Sequence, residues 1–275
     1  MPFRKKAPAR PLSERLKREI DEVRAGRASS ITLKGRLTKV PDEIRELEGL
    51  RSLVVDSGEI ETLPSWLADL PHLEVIDISS HPMAALPDLP NVQWSVDAET
   101  IIRCDDTLNP AKICAICITP DTSSQAARRT FDLARSSMLS VSGLSIGNYV
   151  WNSESRQSIE ARWPALDRIK SNIEKFLESQ RDLFFLHIWG CPLGRVPEAI
   201  RTLQHLTDLA LVHLWPETYP DWLFEVPALT KLSFRYSGLT DLPESIGRAR
   251  NLKFLDLYGN PLTQIPASFL AAGVT

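Results

Sequence analysis

The chain has 275 residues, 43% of them hydrophobic and 24% charged, which is ordinary for a globular protein with enough apolar material for a continuous core. A net charge of -3 supplies no basic field of the kind nucleic acid requires, so no nucleic-acid partner is expected. No run of apolar residues is long enough to span a membrane, and the basic start MPFRKKAPARP is not followed by the apolar segment of a secretory signal.

In chain order, residues 1–11 read as a flexible basic tail among prolines. Residues 12–30 are assigned to an N-terminal cap. Over 12–24, Leu12, Leu16, Ile20 and Val23 fall on one helical face and charges fill the rest. A first repeat block covers 31–94. ITLKGRLTKVPDEI starts at Ile31, with Pro41 ten residues on. LVVDSGEIETLPSWL starts at Leu53 and IDISSHPMAALPDL at Ile76, 23 residues apart, with Pro64 and Pro87 each 11 residues on. A second block covers 181–275, with starts at Leu186, Leu209, Leu232 and Leu255 and prolines at Pro197, Pro220, Pro243 and Pro266, in the same 23- and 11-residue spacing.

Residues 95–180 lack this pattern, and two readings are open. In one, degenerate repeats continue the solenoid, with strands at Ile116-x-Ile118 and Leu139-x-Val141 and helices over about 123–137 and 156–179. In the other, the segment is an inserted subdomain. The continuous reading is preferred, because a gap in a parallel sheet would expose two edges. The last repeat runs into PASFLAAGVT without a polar cap, so either the chain belongs to a longer protein or this end packs on a partner.

The pattern L-x-L-x-x-N/C-x-L-x-x-L-P-x-x-I resembles the 23-residue leucine-rich repeats with an LPxxI convex segment, over about 31–94 and 181–275. The resemblance implies an α/β leucine-rich-repeat solenoid, arc-shaped, with a parallel sheet on its concave face. The physical chemistry agrees. The first two apolar positions, such as Leu186 and Ile188, alternate as in a short strand with both pointing inward. Five residues after the start stand Cys191, Ser237, Asn260 and His81, small or polar groups able to hydrogen-bond the backbone at the turn. Proline then opens the convex segment, and stacking buries what a single repeat leaves open.

The same register names the residues of the concave face. One column is His187, Ala210, Ser233 and Asp256; the next is Trp189, Val212, Arg235 and Tyr258; the third is Gly190, His213, Tyr236 and Gly259. From these, His187, Trp189, His213, Arg235, Tyr236 and Tyr258 are the expected partner-binding residues, because Trp, Tyr and Arg are enriched at interface hot spots. The N-terminal face, with Thr32, Lys34, Val54, Asp56, Asp77, Ser79 and Ser80, is more polar.

Signals for chemistry are weak. Gly143-Leu144-Ser145-Ile146-Gly147 has the G-x-S-x-G spacing, but NYVWNSES after it is a poor helix start, and Leu139, Val141, Leu144 and Ile146 fit a repeat strand and its turn. Cys114 and Cys117 stand three apart in an extended run and would point to opposite faces. No metal site, cofactor or catalytic residue is expected. The four cysteines are too few and uneven for a disulfide framework, which favours the cytoplasm, or entry into a host cell by a signal-independent route. The expected function is a non-catalytic module that binds a partner protein on the concave face. The repeats also resemble those of bacterial leucine-rich-repeat proteins, including type III effectors that join a solenoid to an E3 ubiquitin ligase domain, and those ahead of Roco-type GTPase domains. That implies a substrate-recognition role in a ligase effector as one alternative; a hydrolase using Ser145 is the other.

Overall fold

The computed structural model describes residues 12–80, 83–104, 109–119, 122–135, 139–147, 156–161, 163, 166–216 and 218–271. Among them ten parallel strands follow one another in chain order, the topology of a leucine-rich-repeat solenoid. The chain divides into two compact units: Met1–Asp77 with Pro87–Val92, and Ile78–Leu86 with Gln93–Thr275.

The first unit begins with helix α1 (Glu14–Arg24). Ser13 caps it, its hydroxyl accepting from the Leu16 N–H at 3.2 Å. Leu16, Ile20 and Val23 are buried, as the apolar stripe requires. Glu19 accepts the backbone N–H of Thr32 at 3.0 Å and so satisfies a donor on the edge strand. Strands β1 (Ser30–Lys34), β2 (Ser52–Asp56) and β3 (Val75–Ile78) pair in parallel, with Ile31 beside Leu53 and Leu53 beside Ile76. Ser57 is buried where β2 turns, its hydroxyl 2.7 Å from the Gly35 carbonyl and 2.9 Å from that of Leu37.

The second unit holds strands β4 (Gln93–Asp97), β5 (Ile113–Ile118), β6 (Gly143–Ile146), β7 (Phe185–Trp189), β8 (Asp208–Val212), β9 (Lys231–Ser233) and β10 (Phe254–Asp256). The segment without consensus repeats is therefore occupied by strands of the same parallel set. Ile116 and Ile118 do face the core from β5. The next strand is Gly143–Ile146 rather than Leu139-x-Val141. Leu144 pairs with Ile116, because a helix lengthens this rung beyond 23 residues. Leu139 and Val141 are buried ahead of it, held by Gln180, which accepts the Val141 N–H at 2.8 Å and donates to the Leu139 carbonyl at 3.2 Å.

Helices α2 (Ala98–Arg103), α3 (Ser124–Arg135), α4 (Arg156–Glu160) and α5 (Leu166–Ser179) complete these rungs. Phe131 of α3 meets Phe176 of α5 edge to face at 5.6 Å. The Glu174 carboxylate of α5 accepts the N–H of Ala199 at 2.9 Å, at the start of the next turn. Elsewhere the convex segment is a five-residue 3₁₀ turn. Such turns follow Pro41, Pro64, Pro197, Pro220 and Pro243. Three residues past each of those prolines, Ile44, Leu67, Ile200, Leu223 and Ile246 are fully buried. A short helix α6 (Ala267–Ala271) follows Pro266.

Each rung contributes the same core positions. Leu186, Ile188, Leu209, Leu211, Leu232 and Phe234 are all essentially inaccessible. Burying such a side chain is worth about 1.5–3 kcal/mol. Leu255 and Leu257 of the last rung are half-buried, and Ile265 is exposed.

Candidate functional site

Alternation along a strand sends every second side chain away from the core. On β7 these are Phe185, His187 and Trp189. His187 stacks on Trp189 with ring centroids 5.2 Å apart and planes 8° from parallel, and lies 5.2 Å from Phe185. Its Nε2 is 3.1 Å from Oδ1 of Asp208 on β8, whose other oxygen is 3.6 Å from Lys231 Nζ on β9. Ala210 and Val212 of β8 also point outward, yet both are buried, in register beside His187 and Trp189. Past β9, Arg235 pairs with Asp256 at 3.5 Å, and its guanidinium carbon lies 5.0 Å from the Tyr258 ring centroid. Tyr258 is 62% exposed and Phe254, at the start of β10, is 50% exposed.

The strands end in a shared backbone conformation. Gly190 and Gly259 have φ of 57° and 76°, and the residues in the same column, His213 and Tyr236, have 55° and 50°. Left-handed backbone is natural for glycine but costs about 1–2 kcal/mol for a residue with a Cβ. Trp215 joins them at 45°. These turns bring the rings together. His213 stacks on Tyr236 at 5.2 Å and 13°, meets Trp215 at 5.0 Å, and Tyr236 meets Tyr258 edge to face at 5.5 Å. Tyr236 lies over Gly259, where an added Cβ would stand 2.3 Å from its ring. We expect Tyr236→Gly to be more stable than Tyr236→Ala by about 1 kcal/mol, the reverse of their order inside a regular strand. Urea midpoints of the two variants measure this, and the opposite order would contradict the left-handed backbone.

Of the six residues expected to meet a partner, His187, Trp189, Arg235, Tyr236 and Tyr258 lie on this surface or its rim. His213 does not present itself to a partner: it is 1% exposed, enclosed between Trp215 and Tyr236. Its left-handed turn carries the ring under its neighbours, so it supports the surface from beneath. Sequence reasoning passed over Phe185, Phe254 and Trp215. The first two occupy the position before the inward leucine, which period two also sends outward; no sequence signal marks Trp215.

The candidate nucleophile has a structural explanation. Ser145 sits inside β6, paired in register with Cys117 and His187, and not at a strand-to-helix elbow. An added Cβ at Gly143 would stand 1.9 Å from the Phe185 ring, and one at Gly147 would stand 1.6 Å from the Trp189 carbonyl oxygen. Both glycines of the motif are thus places where a neighbour comes close. All four cysteines are free. Burial pushes the thiols of Cys104 and Cys191 up from their ordinary pKa, which keeps them protonated and unreactive. Among the described residues no group of three or more His, Cys, Asp or Glu side chains is placed to hold a metal, and no helix is long and apolar enough to cross a membrane.

The sequence profile of the family Leucine Rich Repeat matches residues 251–271. No curated protein sequence matches the chain. Among solved structures, a leucine-rich-repeat protein of Leptospira interrogans is 15% identical over 92% of this chain and 72% of its own, with a TM-score of 0.45. The leucine-rich-repeat domain of the type III effector XopL is 21% identical over 93% and 76%, with a TM-score of 0.38. The glycosylated Toll–Spatzle complex of Drosophila is 19% identical over 88% and 31%, with a TM-score of 0.46.

Proposed function

We propose that this leucine-rich-repeat chain binds a partner protein on the sheet face of β7 to β10, the concave face expected from the repeat register, and performs no chemistry itself. The observation that carries the reading is the run of aromatic and charged side chains turned away from the core: His187, Trp189, Arg235, Tyr236 and Tyr258. Tyr258 is exposed and the other four are half-buried, and aromatic and arginine side chains gathered on one face are the residue types that dominate binding energy at protein interfaces. The His187–Asp208 hydrogen bond and the Arg235–Asp256 ion pair are half-buried and hold the side chains in place. Four free cysteines fit work in a reducing compartment.

Affinity capture with the wild-type chain beside a Trp189→Ala/Tyr258→Ala double variant tests this. Hot-spot truncations each cost about 2 kcal/mol or more, so the double variant is expected to lose at least 100-fold in affinity for the retained protein. A folded double variant that retains the same protein equally well would refute the assignment.

A further inference from the structure

β10 forms one edge of the ten-stranded sheet. Its Phe254 N–H and its Asp256 and Tyr258 carbonyls bond toward β9. Backbone groups alternate sides along a strand, so the N–H and C=O groups of Leu255 and Leu257 face the open edge. Among the described residues no strand pairs with them there. The Leu257 carbonyl accepts from the Asn260 side chain and keeps a second lone pair. The strand at the other edge is attended differently: Glu19 of α1 takes the Thr32 N–H of β1. Burial marks the β10 edge as well. Leu255 and Leu257 are half-buried, whereas Leu209, Leu211, Leu232 and Phe234, at the same positions of earlier rungs, are essentially inaccessible. Among the described residues the exposed large hydrophobics besides Phe184 are Phe254, Tyr258 and Ile265, all of this rung.

The order of residues along β10 selects what completes this edge. Phe254-Leu255-Asp256-Leu257-Tyr258 has the same residue classes from either end: aromatic, leucine, aspartate, leucine, aromatic. A two-fold axis at Asp256 sets a second copy antiparallel to the first, and each residue then meets its own class. Leu255 faces Leu257 of the second copy and exchanges N–H···O=C bonds with it in both directions. Phe254 faces Tyr258 of the second copy on the outward side, an aromatic cross-strand pair. Sliding by two residues would put a ring opposite Asp256 instead, and sliding by one would set inward side chains opposite outward ones. Asp256 meets its own copy across the axis. Each carboxylate is paired with Arg235 of its own chain at 3.5 Å and accepts the Tyr258 N–H at 3.1 Å, so the two carboxylates and two guanidinium groups balance. A contact of this kind is complementary to itself, as a two-fold dimer requires.

We infer that two copies of this chain pair through β10, antiparallel about Asp256, and join their sheets into one. The dimer goes beyond the proposed partner face and does not depend on it.

Sedimentation velocity of the full chain over a concentration series tests the pairing. The expected result is a monomer–dimer equilibrium, shifted about tenfold toward monomer in Phe254→Lys, which removes the aromatic pair on each side of the axis and puts a charge on the edge. Asp256→Cys tests the axis itself. Position 256 stands opposite its own copy, with Cα atoms about 4.5 Å apart, a separation that a disulfide spans. Mild oxidation is expected to link Asp256→Cys into a covalent dimer on a non-reducing gel. Wild type and Lys253→Cys, whose position faces Gly259 of the second copy, are expected to stay unlinked. Circular dichroism verifies that each variant is folded. A wild-type chain that stays monomeric at every concentration, a dimer unchanged by Phe254→Lys, or a folded Asp256→Cys that does not cross-link would each overturn the inference.

Discussion

Replacing Phe234 by alanine is expected to destabilise the β8 to β10 end by about 3–5 kcal/mol, as for other fully buried phenylalanines. Phe234 is completely inaccessible, the second inward residue of its rung. Its ring meets Tyr219 at 4.7 Å and Phe224 at 6.4 Å, both edge to face. Truncation leaves a void bounded by two aromatic rings and by the neighbouring rungs, and little can move to fill it. At about 2–4 °C per kcal/mol for a chain of this size, the midpoint of thermal unfolding should fall by about 10 °C. Phe234→Leu keeps most of the volume and should lose far less. Because each rung touches only its neighbours, the effect should appear as an early transition of this end. Circular dichroism melts of the two variants measure it, and a shift under 2 °C for Phe234→Ala would contradict the packing described.

The second large effect is expected at Asn260. Its Oδ1 accepts the N–H groups of Ser237 and Leu239 at 3.0 and 3.1 Å, and its Nδ2 donates to the carbonyls of Phe234 and Leu257 at 2.7 and 2.8 Å. One side chain thus satisfies four backbone groups that the turn leaves without strand partners. Alanine would remove all four bonds and leave the Leu257 carbonyl only the backbone N–H of residue 260, at 3.4 Å. At about 1–3 kcal/mol per buried unsatisfied group, discounted because water reaches the half-buried last rung, the loss should be about 2–4 kcal/mol. Ser237 performs the same task one rung earlier with less, its hydroxyl 2.7 Å from the Leu211 carbonyl and 3.4 Å from the Leu214 N–H. Ser237→Ala should therefore cost about 1–2 kcal/mol. Hydrogen exchange reads the difference directly: the Ser237 and Leu239 amides should exchange at least tenfold faster in Asn260→Ala. Unchanged protection there would show that the side chain does not hold the turn.

These two residues show what a sequence can reveal. Phe234 and Asn260 recur at fixed offsets from a repeat start, and the recurrence defines the rung, its inward pair and its turn residue. The same offsets placed Leu186, Ile188, Leu209 and Leu211 in the core, where they are buried. Where the spacing is lost, the offsets no longer mark the inward residues. In β4, Trp94 and Val96 face the core without a leucine pattern, and Asp97 at once caps α2 by accepting the Glu99 N–H at 2.7 Å. In β6 an assumed 23-residue step falls short, because the rung carries α3. The candidate site was legible to the extent that alternation governs it. Period two turns His187, Trp189, Arg235 and Tyr258 outward. It is silent on His213, whose placement depends on left-handed backbone and on the size of the rings beside it.

Binding of a partner protein on the sheet face of β7 to β10, as proposed, would make the affinity depend on Trp189 and Tyr258. The most direct measurement is calorimetric titration of the captured partner into wild-type chain and into Trp189→Ala/Tyr258→Ala, with unchanged far-ultraviolet circular dichroism showing that both are folded. A weakening of at least 100-fold is expected in the double variant. Equal affinity in the two proteins would contradict it and move recognition off this face.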